Sequence, residues 1–345
     1  MRQFSVAMLG FGIAGKAFAK ILLEQHQAIL EETGFDVQVT AIATGSRGAL
    51  IDPKGIDLVW AMETVERDGH FDVTHPAYSN LSTMEIVDQA EYDAVLELTP
   101  INFTDGQPAI SHLEHAMKRG KHAITANKGP MAYAYRYLRD LAKERGVCFF
   151  YETTVMAGIP IFDMAYHSLR YCEVREIRAI LNATSNYVLR RMEDGLDKET
   201  IYEEGRRGGF MEADPSNDIK GYDAAAKLTA LMNVLMDAGM TPADISIKGI
   251  EDVTPEDIAA AKARGNKIKL ICRGKLVDGK PVGSVQPTEV PETDPFCSEG
   301  VFAALTIDTE YLGPITTLQY GTETPVTGYG VFIDVCRVLR EAGWQ

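Results

Sequence analysis

The chain has 345 residues, room for two ordinary domains at roughly 100–200 residues each. Apolar residues make up 46% and charged residues 24%, the balance of a soluble globular protein able to bury a full core. Against 34 Lys+Arg stand 49 Asp+Glu, a formal net charge of −15, which argues against a nucleic-acid backbone binder but leaves room for one local phosphate site.

No apolar run approaches the ~20 residues of a membrane helix. The start, Met1 to Gly10, runs straight into glycines without a small-residue cleavage pattern, so it reads as a strand and not an export signal. Cys148, Cys172, Cys272, Cys297 and Cys336 are scattered, odd in number and form no C-x-x-C pair. A disulfide framework or structural zinc site is not expected, and a reducing cytoplasm fits.

Phe4 to Leu9 reads as a short buried strand. Gly10-Phe11-Gly12-Ile13-Ala14-Gly15 follows as a full G-x-G-x-x-G, and Lys16 to Glu32 carries apolar residues at helical spacing. A second strand, Val37 to Ala43, completes the strand–glycine–helix–strand context that gives the motif meaning. The glycines allow a tight turn, close approach of a pyrophosphate and close helix packing, while the helix start offers free N–H groups to the anion. The second strand ends in Thr44-Gly45-Ser46-Arg47-Gly48, with a hydroxyl and a guanidinium but no carboxylate. That tilts toward NADP over NAD; the plainer alternative is a polar turn.

Residues 50–90 read as an extended connection with some helix, and Glu63 to His75 as surface. Strands are expected at Tyr92 to Leu98, His122 to Thr125 and Val147 to Tyr151, alternating with helices at Gln107 to Arg119 and Ala132 to Arg145. This alternation predicts a doubly wound parallel sheet over residues 1–150, an α/β Rossmann-type fold with ligands at the C-terminal strand ends, where Thr99 and Lys128 lie. Pro130 suits a first helical position, and Lys128 is either a cofactor-side lysine or an exposed turn residue.

After residue 151 the texture becomes mixed α+β. Strands are expected at Arg175 to Ala183, Lys267 to Leu276 and Val301 to Thr306, with a strong helix at Asp223 to Met236. A last helix, Val331 to Glu341, follows a Gly-rich segment and could return to the first domain. Residues 151–320 would then form a second domain and 321–345 the returning helix.

The densest chemical cluster is Glu212 through Lys227. Asp223 and Lys227 stand four apart on one helix face that continues to apolar Leu231. Carboxylates beside a partly buried lysine could hold a substrate ammonium while the lysine exchanges a proton; an ordinary helix ion pair is the competing reading. Glu152 and the carbonyls of the Gly158-Ile159-Pro160 turn could hold a hard monovalent cation, or simply form a turn. No G-x-S-x-G elbow or H-E-x-x-H is present, and the seven histidines read as structural.

Taken in order, these stretches resemble homoserine dehydrogenase over most of the chain. The segments are Gly10 to Gly15, Leu96 to Thr99, Thr125 to Pro130, Val155 to Pro160, Leu181 to Leu189, and Glu212 to Pro215 through Asp223 to Lys227. The resemblance implies reversible NAD(P)-linked interconversion of L-homoserine and L-aspartate 4-semialdehyde, in the threonine and methionine branch of aspartate-derived biosynthesis. It implies a nucleotide domain, a dimerisation region and a catalytic sheet, in a homodimer or dimer of dimers. Carried over, Lys227 would exchange the proton at the reacting oxygen and Lys128 would contact the nicotinamide side and substrate. Glu212, with Asp218 and Asp223 nearby, would bind the substrate amino group. Gly10, Gly12, Ile13, Ala14, Gly15, Ser46, Arg47 and Thr99 would hold the cofactor. Glu152, with the carbonyls of Val155, Ala157 and Ile159, matches the family's sodium turn.

The chain departs from the family where G-T-T-N becomes Ala183-Thr184-Ser185-Asn186, and where Glu323 falls in the cofactor-facing segment before the last helix. These changes bear on substrate and cofactor more than on fold. A short form without a C-terminal regulatory domain is expected. The rivals are a paralogous dehydrogenase of another small hydroxy- or oxo-amino acid, a non-catalytic nucleotide-sensing dimer, and a semialdehyde dehydrogenase with a cysteine nucleophile.

Overall fold

A computed structural model describes residues 2–209, 211–321 and 325–343. The chain forms two compact units, Met1–Asp163 with Glu323–Gln345, and Met164–Thr322. No helix among the described residues is long and apolar enough to cross a membrane.

The first unit is built on a seven-stranded sheet. Its order is Tyr78–Ser79, Ala49–Ile51, Phe35–Ala43, Arg2–Leu9, Ala94–Glu97, His122–Thr125, Phe149–Phe150. The last five strands are parallel. The chain order reverses between Arg2–Leu9 and Ala94–Glu97, the switch point at which doubly wound sheets open a crevice beyond the strands' carboxyl ends. The central strands are mostly apolar because both faces are covered. Helices Ile13–Thr33, Leu58–Asp68 and Pro325–Gly343 lie on one face. Helices Thr83–Gln89, Ala109–Lys118 and Tyr135–Arg145 lie on the other.

The Rossmann-type α/β reading therefore holds, with differences in detail. The stretch read as an extended connection carries two short antiparallel edge strands, Ala49–Ile51 and Tyr78–Ser79, besides helices Leu58–Asp68 and Thr83–Gln89. Glu63 to His75 is not simply surface, since Phe71 is fully buried with its ring 5.8 Å from that of Phe11. The expected helix from Ala132 is two helices, Lys128–Tyr133 and Tyr135–Arg145. Lys128 is the first helical residue and Pro130 the third, still within the turn where no intrahelical N–H is needed.

The last helix begins at Pro325, earlier than expected, so Gly328 and Gly330 are helical. The glycine spacing looked like a loop in sequence; here it permits close packing. A Cβ on Gly328 would come within 2.6 Å of the Ala17 backbone, and one on Gly158 within 2.6 Å of the Val326 carbonyl. Glu323 lies outside the described residues.

The second unit carries a six-stranded sheet ordered Gly313–Tyr320, Val301–Thr309, Val174–Ile180, Asn266–Val277, Lys280–Pro291, Ile245–Ile247. All pairings are antiparallel except that of Ile245–Ile247 with Lys280–Pro291. Val174–Ile180 ends sooner than expected because Asn182 caps a helix, Ala183–Glu193. Helices Lys198–Arg207 and Pro255–Ala263 and strands Lys280–Pro291 and Gly313–Tyr320 escaped the sequence reading. The helix Tyr222–Met236 is nearly all buried and packs on the sheet. Gly274 and Gly283 are cross-strand partners, and a Cβ on either would press on Met232 Sδ, at 2.6 and 3.2 Å. Two missing side chains thus make the hollow in which that sulfur sits.

Gly328→Val should destabilise the protein by about 1–3 kcal/mol, because the added carbons meet rigid backbone. Chemical denaturation of the purified variant measures it; an unchanged midpoint would show that the two helices can separate freely.

Candidate active site

Within the first unit the candidate residues begin with the glycine turn. Gly10 has φ +106°, and a Cβ there would lie 2.6 Å from the Leu98 carbonyl oxygen. A Cβ on Gly15 would lie 2.7 Å from the Gly10 carbonyl. Gly12 is different: its Cβ would meet nothing within 4 Å, so that side of the turn is open. Gly12 is the N-cap of the 21-residue helix Ile13–Thr33 and supplies no side-chain cap, and no acidic residue stands in the first turn. The first amides, those of Ile13 and Ala14 among them, accordingly face outward as donors for an anion. Ile13 is 69% exposed at this mouth.

Arg47 joins the turn directly, its Nη1 donating to the Phe11 carbonyl at 2.6 Å. The Thr44 hydroxyl holds the loop beneath it, accepting from Arg47 N at 2.7 Å and donating to Gly48 O at 2.9 Å. Ser46 is exposed on the same loop. At the neighbouring strand end, the Asn127 amide donates to the Thr99 and Pro100 carbonyls at 3.0 and 3.3 Å. Its Oδ1 accepts from Gly129 N at 2.9 Å and so caps the helix that Lys128 begins. Thr99 and Lys128 are thereby tied to the same strand ends by one asparagine, which sequence reading passed over. Its signal was present: an Asn directly before a helix is a strong N-cap.

A separate polar cluster lies within the second unit. Lys227 Nζ is 2.8 Å from Asp223 Oδ2 and donates to the Leu181 carbonyl at 2.9 Å. The Asn182 side-chain amide donates to Asp218 Oδ1 at 2.5 Å and to Asp223 Oδ2 at 2.8 Å. Its Oδ1 accepts from Ser185 N at 2.8 Å, capping Ala183–Glu193. Burial and the charge of Asp223 hold the Asp218 carboxyl above the ordinary aspartate range, while the Asn182 amide pulls it back. Asp218, Asp223 and Lys227 are thus brought together, with Asn182 as the hub. Glu212 is not: it is exposed and makes no hydrogen bond or ion pair among the described residues. The departure at position 185 also has a use here, since the Ser185 hydroxyl donates to the Asn182 carbonyl at 3.1 Å.

Family models for the NAD-binding domain of homoserine dehydrogenase and for homoserine dehydrogenase match residues 10–152 and 160–336. A homoserine dehydrogenase of Methanocaldococcus jannaschii is 36% identical over 336 residues, covering 97% of this chain and 98% of the relative. An NAD(+)-dependent homoserine dehydrogenase of Pseudomonas canavaninivorans is 30% identical, covering 99% and 98%. Among solved structures, a hyperthermophilic archaeal homoserine dehydrogenase in complex with NADPH superposes with a TM-score of 0.84 at 28% identity, covering 98% of each chain. The chain belongs to the homoserine dehydrogenase family. It is an oxidoreductase acting on a CH–OH group, with an NAD-binding domain. The residues fit a dinucleotide, because the open side of Gly12 and the uncapped helix start form a cradle that a Cβ would fill.

Three of the five cysteines are poor nucleophile candidates for the rival cysteine-based mechanism. Burial pushes the Cys148 and Cys272 thiols up to about 12 and Cys336 to about 11, far from reactive thiolates.

At the turn expected to hold sodium, Glu152 is buried, and its two carboxylate oxygens accept from Phe162 N and Asp163 N, both at 2.7 Å. These bonds take two of the roughly four acceptor positions of a carboxylate. Ile159 O accepts from Ile161 N at 2.8 Å. Met156 and Ala157 both take left-handed backbone, φ 54° and 55°, a strained pair for residues with a Cβ.

Behind this turn Asp334, fully buried, accepts from Glu152 N at 2.9 Å and pairs with Arg337 at 3.1 Å. Arg337 also faces Asp163 at 3.2 Å, Glu152 at 3.6 Å and the Phe150 ring at 4.0 Å. Three carboxylates share one guanidinium. Burial pushes the Asp334 carboxyl up to about 7, against the pull of Arg337. The folded chain therefore keeps a proton that the unfolded chain releases near pH ~4, and this group's contribution to stability falls as pH rises from about 4 to 7. Asp334→Asn should flatten that fall, read from denaturation midpoints at pH 5 and pH 8. A slope equal to wild type would mean the Asp334 carboxyl is already ionised at low pH.

Asn182→Ala should cost about 1–3 kcal/mol, since it removes a helix cap and leaves one buried and one half-buried carboxylate without their shared donor. Denaturant melts measure this, and a change under a few tenths of a kcal/mol would remove Asn182 from its place as hub.

Proposed function

We propose that this chain catalyses the reversible NAD(P)-linked interconversion of L-homoserine and L-aspartate 4-semialdehyde, with Lys227 as the proton-exchanging group. The observation that carries the reading is the cluster around Asn182, where two carboxylates, Asp218 and Asp223, stand beside one ammonium, Lys227. Carboxylates gathered beside a lysine can take up the α-ammonium common to both substrates while the lysine manages a proton. Glu212 is assigned to the same ammonium on family resemblance, as an exposed carboxylate that substrate binding would have to draw in.

A bound nicotinamide supplies the hydride acceptor or donor. The chain's own task is to manage the oxygen. As the aldehyde carbon is reduced, its oxygen gains negative charge, and the Lys227 ammonium stabilises that charge and delivers the proton. In the other direction the neutral amine takes the hydroxyl proton. An ammonium has three N–H donors, so Lys227 can keep Leu181 O and Asp223 and still reach the substrate. The carboxylates fix the α-ammonium and with it the distance of the reacting carbon. Lys128 is assigned to the nicotinamide side and the substrate. Gly10, Gly12, Ile13, Ala14, Gly15, Ser46, Arg47 and Thr99 are assigned to the dinucleotide.

Arg47, held on the Phe11 carbonyl with no carboxylate at the end of its strand, supports NADP as the preferred form. A sodium ion is assigned to Glu152 and the carbonyls of Val155, Ala157 and Ile159, and no step above depends on it. A homodimer or dimer of dimers fits the edge strand Gly313–Tyr320, where Tyr320 is 59% exposed and Tyr311 and Leu312, in the turn before it, are 72% and 62% exposed. Five unpaired cysteines suit a reducing cytoplasm.

The test is NADPH oxidation with aspartate semialdehyde beside NADP or NAD reduction with homoserine, run against a panel of other small hydroxy- and oxo-amino acids. A better substrate in that panel would favour the paralogous dehydrogenase, and no turnover with any would favour the sensing dimer. Lys227→Ala should lose at least 100-fold in kcat with little change in dinucleotide affinity, by the usual weight of general acid–base groups. Near-normal turnover would falsify its role.

A further inference from the structure

A buried polar chain runs beneath the switch point of the nucleotide unit. Glu97 ends the central strand Ala94–Glu97 and is fully buried, as is His112 on the helix packed against that strand. Glu97 Oε1 accepts the Thr99 hydroxyl proton and stands 3.4 Å from His112 Nδ1. His112 Nε2 is 2.9 Å from the Thr83 hydroxyl. Glu97 Oε2 is buried with no hydrogen-bond partner among the described residues. A carboxylate with an unmet lone pair is a costly thing to place inside a domain core. Nothing in the proton exchange described above employs it.

The polarity of this chain has a chemical consequence. The Thr99 hydroxyl is the donor in its bond to Glu97 Oε1, and a hydroxyl has one proton, so that proton is committed inward. Only the lone pairs of Thr99 Oγ1 remain to face outward. Thr99 lies just past the strand end beside the glycine turn, where Leu98 N donates to Leu9 O at 2.8 Å and the Leu98 carbonyl abuts Gly10. Its backbone is pinned by the Asn127 amide.

We propose that buried Glu97, braced by His112, locks the Thr99 hydroxyl as a pure hydrogen-bond acceptor that selects the N–H donor of the cofactor's nicotinamide carboxamide. This rests on the assignment of Thr99 to the dinucleotide. Glu97 and His112 are positioning residues: they act through Thr99 and do not touch the cofactor. The arrangement discriminates against any dinucleotide whose ring carries an acceptor alone, since acceptor would then face acceptor.

The experiment is calorimetric binding, without turnover, of NADP+ and its 3-acetylpyridine analogue, in which a methyl group replaces the amide NH2; NAD+ and its analogue are run in parallel. Wild type should bind the parent about 10-fold more tightly, the worth of one good hydrogen bond. Thr99→Val should weaken the parent and leave the analogue nearly unchanged, bringing the ratio within about threefold. Glu97→Leu frees the hydroxyl to donate to the acetyl oxygen and should narrow the ratio in the same way. Loss of both dinucleotides by an equal factor in Thr99→Val overturns the inference, because a merely structural role moves both together. Equal affinity of wild type for parent and analogue also overturns it, while leaving the cofactor assignment standing. Failure of wild type to bind any of the four dinucleotides overturns the cofactor assignment itself.

Discussion

The catalytic proposal depends on one side-chain amide. Asn182 donates both of its N–H groups to carboxylates, Asp218 and Asp223, that would otherwise repel each other in a poorly solvated place. Like charges this close tend to be relieved by proton uptake, and burial of Asp218 acts in that direction. The amide and the Lys227 ammonium oppose it. The same asparagine caps the helix Ala183–Glu193, so the geometry of the cluster and the start of that helix are one constraint. Ser185 strengthens it, which gives a physical meaning to one departure from the family pattern.

The nucleotide unit meets a different constraint, that of keeping one side of a tight backbone turn open. Gly10 and Gly15 are needed for packing, since a Cβ on either would strike a carbonyl oxygen. Gly12 is needed for what is absent around it. Arg47 spends one N–H on the Phe11 carbonyl and so keeps its charge beside the turn. Beneath the adjacent strand end, Glu97 and His112 supply buried polarity that a purely structural core would omit. Asn127 performs on this side what Asn182 performs in the second unit: one amide that both caps a helix and orders the loop beside it.

Much was legible beforehand. The strand, glycine turn, helix and second strand at the start are local patterns, each set by residues within a few positions of one another. The Asp223/Lys227 pairing was equally visible, because helical spacing alone places those residues on one face. The misreadings share a cause. Gly328 and Gly330 look like loop residues until Ala17 is seen to lie against the helix they belong to. Glu152 looks like a free oxygen ligand until two backbone amides ten and eleven residues later claim its carboxylate. His112 looks like an ordinary helix residue until the fold lays it on Glu97.

Sequence by itself determined the fold class, the glycine turn and the family, because periodicity, glycine placement and ordered motifs are properties of the chain read along its length. Tertiary structure alone decided which polar groups are occupied. It drew Asp218 and Asp223 onto Asn182, left Glu212 at the surface, and turned the Thr99 proton inward. Hydrogen-bond partners separated by tens of residues are chosen by burial, where every donor must find an acceptor, and that choice is made only once the chain has closed on itself.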